Sequence, residues 1–236
     1  MKKLYAAAAA VALAAIPTGA QAATIELALL IDGSGSISGA NFLLQRNAYA
    51  NVLNDATILP QNGTVAIGVW QFGTTVQQVF AMAEINAGNI GALIAAINGM
   101  TQLNTATNIA GAIDTATAAI FGNSIDSARQ LIDVSTDGVN NVGNLATSRT
   151  NALNAGIDQI NCIGIGVGAN CAPVQGGTGS FSLQADSFDD FQAALRQKIG
   201  RETGAVPEPG TWALLILGFG AVGAAMRRQR LTVRFA

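Results

Sequence analysis

Short, nearly continuous apolar runs alternate with amphipathic stretches through the middle of this chain. Residues 25–31 form an apolar run that ends in Asp-Gly, as expected of a strand buried on both faces. Phe42, Leu43, Tyr49, Val52 and Leu53 follow at helical spacing. Residues 65–72 and 76–81 flank Gly73-Thr74-Thr75 and predict a hairpin. Helices are predicted over 90–97, 109–120 and 145–157, and strands over 131–135 and 160–167. Ser187-Phe188-Asp189-Asp190 opens a last helix with a start like a capping box, and Phe188, Phe191, Leu195 and Ile199 share one face. Strands alternating with helices predict an α/β fold: a doubly wound, mainly parallel sheet with one antiparallel edge strand, flanked by helices.

Both ends depart from that pattern. Met1-Lys2-Lys3, an alanine-rich apolar run to Ile16 and Ala20-Gln21-Ala22 describe a secretory signal peptide over residues 1–22. The globular part then spans 23–202, with a spacer at 203–206. The tail over 207–236 opens with Pro207-Glu208-Pro209 and Trp212-Ala213. An apolar stretch over 212–226 and the basic cluster at 227–230 follow. Fifteen residues at ~1.5 Å each cover about 22 Å, a marginal transmembrane helix against a ~30 Å hydrocarbon core. The tail resembles the PEP-CTERM sorting signal of Gram-negative bacteria, in its variant with Trp-Ala after the motif; residues 231–236 are an addition to that pattern. The resemblance implies processing by an exosortase and a tethered precursor at the inner membrane. It further implies a final place in the envelope or the extracellular matrix.

Composition narrows the chemistry. Half of the residues are apolar and 11% are charged, but the two ends hold much of the apolar excess. Residues 23–206 carry six basic against thirteen acidic side chains, a net charge of −7. That balance argues against nucleic acid or anionic lipid as the main partner of the body. No histidine occurs anywhere, which excludes Ser-His-Asp and Cys-His catalysis and any His-ligated metal. Site chemistry must come from oxygen ligands.

Oxygen-bearing residues stand where such a fold places its loops. The first predicted strand runs into Asp32-Gly33-Ser34-Gly35-Ser36, and alternating glycines can turn the three side chains toward one point. The strand at 131–135 ends in Thr136-Asp137-Gly138, and Thr107-Asn108 opens a helix between them. These positions resemble the metal-ion-dependent adhesion site (MIDAS) of the von Willebrand factor A domain: its Asp-x-Ser-x-Ser on Asp32, Ser34 and Ser36, its loop threonine on Thr107, its Asp-Gly on Asp137 and Gly138. The resemblance covers about residues 24–201, and Ile132-Asp133-Val134-Ser135 resembles a bacterial subgroup of these domains. It implies direct binding of a cation by Ser34, Ser36 and Thr107, with Asp32 and Asp137 acting mainly through water. Hard oxygen donors suit Mg²⁺ or Mn²⁺. An under-neutralised cation attracts a carboxylate, so the resemblance implies cell adhesion through an acidic group on a protein or polysaccharide, without catalysis.

Two other functions compete with this one. A Mg²⁺-dependent phosphoester hydrolase would use Asp32 and Asp137 around the ion, although no general base of the usual kind stands nearby. A matrix scaffold would hold the metal for structure alone. Cys162 and Cys171, the only cysteines, read as a disulfide in an exported chain; two free thiols are the alternative, because Cys162 falls in a predicted core strand. Gly164-x-Gly166-x-x-Ala169 has the form of a dinucleotide fingerprint, but Asn170-Cys171-Ala172-Pro173 cannot open the helix it requires. Asp133, inside an apolar strand, could support the site from behind its ligands, but reads better as a buried hydrogen-bonded carboxylate or an exposed strand position.

Overall fold

The computed structural model describes residues 25–204 and residue 219. The signal peptide lies outside the described residues, as does the sorting tail apart from residue 219. Six strands form one sheet in the order β3-β2-β1-β4-β5-β6. In sequence they are β1 (Ile25–Asp32), β2 (Asn62–Phe72), β3 (Val76–Asn86), β4 (Arg129–Thr136), β5 (Gln159–Ile165) and β6 (Ser182–Ala185). Every neighbouring pair is parallel except β2 with β3. Helices α1 (Gly39–Leu53), α2 (Ile90–Asn98), α3 (Ile109–Gly122), α4 (Leu145–Ala155) and α5 (Phe191–Glu202) complete the fold.

The sheet separates two apolar cores. Leu27, Leu29 and Ile31 of β1 pack with Phe42 and Tyr49 of α1, Leu93 and Ile97 of α2, and Phe191 and Leu195 of α5. The alternate residues Ala28 and Leu30 pack with Ile109 and Ile113 of α3 and Ala152 of α4. A strand with apolar layers on both sides must be apolar throughout, which is why β1 reads as a run.

Several boundaries differ from the sequence reading, each for a local reason. α4 ends at Ala155 because Gly156 adopts φ 118°, the left-handed cap that satisfies the last carbonyls. β3 continues to Asn86 beyond its apolar part. β6, with four residues and an alternating exposure, offers no apolar run to detect. α5 begins at Phe191: Ser187 and Asp190 do hydrogen-bond each other, but in the turn before the helix. On α1 Leu43 is exposed and Gln45 is buried, so the inward face includes a polar position.

The chain order gives the molecule two distinct ends. β1 leads into β2 on one side and β4 lies on the other, so the loops after β1 and β4 diverge at a switch point. α1, α3 and α4 begin at this end, capped by Ser38, Asn108 and Asn144 through bonds to Asn41, Gly111 and Thr147. At the opposite end the Thr203 hydroxyl donates to the carbonyl of Ile58 (2.7 Å), in the connection from α1 to β2. The described chain thus enters at Ile25 and leaves at Gly204 on the side away from the switch point. Cys162 and Cys171 form a disulfide, Cα–Cα 5.6 Å, joining β5 to the loop after it.

Candidate metal centre

Asp32 is the last residue of β1 and is fully buried. Its Oδ1 accepts from the Ser34 backbone N–H (2.8 Å) and its Oδ2 from the Thr136 hydroxyl (2.6 Å). Burial outweighs these bonds and raises its pKa to about 6, with the charge of Asp137 adding to the rise. Beside it the Ser34 and Ser36 hydroxyls lie 3.0 Å apart, and Ser36 Oγ donates to Asp137 Oδ1 (2.6 Å). Four of the five residues picked from sequence therefore meet in one hydrogen-bonded group at the switch point. Gly33 lets the Gln71 side chain close in on the backbone: a Cβ there would stand 2.7 Å from its amide.

The loop that leads into Thr107 is bonded to the backbone of this group. Gly35 N–H donates to the Thr105 carbonyl and Asn104 N–H to the Gly33 carbonyl, both 2.8 Å. Asn104, at φ 55°, is the one left-handed non-glycine among the described residues. Asn141 brackets Thr107 from the loop after β4: its Oδ1 accepts from Thr107 N–H (2.8 Å) and its N–H donates to the Thr107 carbonyl (3.0 Å). Asn140 Oδ1 accepts from Ala110 N–H (3.0 Å), and Thr74 N–H donates to Thr105 Oγ1 (2.8 Å). Asn141, which holds Thr107, belongs to no sequence motif, and its only signal there is a surplus of Asn around the predicted loops.

The set expected from sequence is chemically uniform: hydroxyls from Ser34, Ser36 and Thr107 and carboxylates from Asp32 and Asp137. Among the described residues no cluster of three or more His, Cys, Asp or Glu offers an alternative metal site. No Lys or Arg is ion-paired with Asp32 or Asp137 among the described residues. A hard divalent cation fits this group, because a buried carboxylate with a raised pKa lacks positive charge nearby. The bond from Ser36 to Asp137 also engages the hydroxyl proton and leaves oxygen lone pairs for an ion.

A different ionic group lies farther along β4. Asp133 is buried, and Lys198 of α5 pairs with it and with Glu202 Oε1 (2.6 Å). Asn161 of β5 donates to the same Glu202 oxygen (2.9 Å). Burial pushes the Glu202 carboxyl up to about 8, helped by the charge of Asp133 and opposed by Lys198. Asp133 thus belongs to an internal ion group, the buried alternative of the sequence reading. Gln45 ties the end of β1 to β4: its Nε2 donates to the Asp32 carbonyl (2.7 Å), and its Oε1 accepts from Ser135 Oγ (3.4 Å).

The sheet order, the two helical layers and the loops at the switch point define the von Willebrand factor A fold. The chain belongs to the family described as protein of unknown function (DUF1194), which matches residues 22–207. Residues 205–230 match the PEP-CTERM protein-sorting motif. No curated protein matches the chain. Among solved structures it is similar to proximal thread matrix protein 1 from the mussel byssus, at 20% identity and TM-score 0.64, covering 75% of this chain and 47% of that one. The same mussel protein with a zinc-occupied MIDAS motif matches at 17% identity and TM-score 0.64, covering 76% and 48%. A von Willebrand factor type A protein from Catenulispora acidiphila is 15% identical, TM-score 0.62, covering 78% and 43%. The pilus adhesin SpaC from Lactobacillus rhamnosus GG is 13% identical, TM-score 0.63, covering 78% and 31%. The chain spans about half the length of the mussel proteins it matches. Among the described residues no helix is long and apolar enough to cross a membrane.

Proposed function

We propose that this protein is an exported, non-enzymatic binding domain that captures an acidic group of a partner through a Mg²⁺ or Mn²⁺ ion. Ser34, Ser36 and Thr107 would hold the ion, with Asp32 and Asp137 accepting hydrogen bonds around it. The observation that carries the reading is the bonded group Ser34–Ser36–Asp137, built beside a buried Asp32 that no basic side chain among the described residues pairs with. The zinc-occupied MIDAS motif of the mussel protein and the adhesin of similar fold support it. When bound, the ion supplies positive charge with open coordination positions, which a carboxylate of the partner fills. The match to the sorting motif supports exosortase processing within 207–236 and an envelope or matrix destination; removal of residues 1–22 as a signal peptide is part of the same proposal.

Mn²⁺ titration of the chain from residue 23 onward, in detergent, tests the reading. Wild type should bind one ion, and Asp32→Ala and Ser34→Ala should each bind at least tenfold more weakly. A pull-down from envelope and matrix extract of the same organism, run with Mn²⁺ and with chelator, then reads the partner. Mn²⁺ binding unchanged in both variants would overturn the proposal.

A further inference from the structure

Of the large apolar side chains exposed in residues 25–204, the two most exposed are Val167 at 107% and Val139 at 54%. They sit in the loops that follow the adjacent parallel strands β5 and β4. Val139 lies two residues beyond Asp137. The β5 loop comes against the same place: a Cβ at Gly168 would stand 3.1 Å from the Asp137 carbonyl oxygen. Next to Val167 opens a cleft of about 450 Å³, lined by Gly166, Val167, Ala169, Gln184 and Asp186. Scattered exposed valines need no explanation. The two loops that carry these valines thus meet at Asp137, whose carboxylate is proposed to stand next to the ion.

We infer that the partner is a protein segment in which an apolar residue neighbours the acidic one, the apolar side chain covering Val139 and Val167 and entering the cleft. The inference rests on the metal-binding reading above. Charge favours a protein over an acidic polysaccharide. Asp186 lines the cleft, Asp189 and Asp190 stand exposed in the same loop, and residues 23–206 carry a net charge of −7. A polymer with a carboxylate on every sugar would place its second charge against this acidic side. A peptide with one acid and a neutral apolar neighbour avoids that repulsion and removes the valines from water.

Acetylated, C-terminally amidated and fluorescently labelled Gly-Leu-Glu-Gly and Gly-Ser-Glu-Gly, with a galacturonate oligomer, test this on the full chain in detergent with Mn²⁺. Free Mn²⁺ is followed by electron paramagnetic resonance, and peptide binding by anisotropy. The leucine peptide should bind about five- to tenfold more tightly than the serine peptide, from partial burial of apolar surface. Val139→Ser/Val167→Ser should keep the wild-type Mn²⁺ affinity and lose that preference. Equal binding of the two peptides by Mn²⁺-loaded wild type overturns the inference and leaves the metal reading standing. A preference that survives in the double variant, or tighter binding of the galacturonate oligomer, does the same. Failure of wild type to bind Mn²⁺ removes the metal reading and this inference with it.

Discussion

Strand β4 and its following residue carry two carboxylates four positions apart, and each belongs to a group containing a second acid. Asp133 shares the ammonium of Lys198 with Glu202, and all three side chains are sealed from solvent. Asp137 joins Asp32 and two serines, and one side of that group faces outward. The first group contains its own cation; the second is all oxygen. Two buried acids with an internal lysine form a closed structural unit. Two acids with hydroxyls and no lysine make a place for a cation from solution. This contrast, more than the count of acidic residues, separates the part that holds the fold from the part proposed to bind.

The largest expected effect concerns the closed group. Lys198→Met leaves Asp133 and Glu202 buried without a cation and should cost about 3–5 kcal/mol in urea unfolding. Adding Asp133→Asn and Glu202→Gln should recover most of the loss. A cost below about 1 kcal/mol would mean that the ammonium is not what holds this group. The open group should respond the other way. Mn²⁺ at a hundredfold above its Kd should raise stability by about 2.7 kcal/mol. Thermal melts of Asp32→Asn should lack that gain while changing little in chelator. A variant that still gains would erase the contrast.

A smaller effect is expected at the bracket around Thr107. Asn141→Ala removes the acceptor for Thr107 N–H, worth about 1 kcal/mol, and should weaken Mn²⁺ binding roughly fivefold. Titration calorimetry with unchanged affinity would show that Thr107 is held by other means. A slope with pH is expected as well. The Glu202 carboxyl has its pKa raised from 4.5 to about 8 by burial. The folded state therefore holds this proton more tightly than the unfolded chain. Its contribution is full below about pH 4.5 and is lost as pH rises through about 8. Urea midpoints should fall between pH 5 and pH 8 in chelated wild type, and Glu202→Gln should flatten that fall.

How far the sequence disclosed these two regions follows from how local each one is. Asp32, Ser34 and Ser36 fall within five residues after an apolar strand, so the pattern is visible at once. Asp137 stands in the same relation to β4. The closed group joins residues from β4 and α5, and a lysine on an amphipathic helix ordinarily reads as solvated. One signal was present: Lys198 falls three positions after Leu195 and seven after Phe191, on the inward face. The helical layers and the antiparallel edge followed from periodicity. β6 did not, since a four-residue edge strand is specified by pairing with β5 rather than by its own composition.

The opposed ends of the domain have a mechanical consequence. A pull applied between the loop at Asp137 and the chain leaving at Gly204 runs along the strand axes. The hydrogen bonds joining β4 to β1 and to β5 lie across that direction. Tension would therefore shear these ladders as a set instead of opening them one bond at a time. A partner caught at one end and a tail held at the other would load the sheet in its most resistant direction.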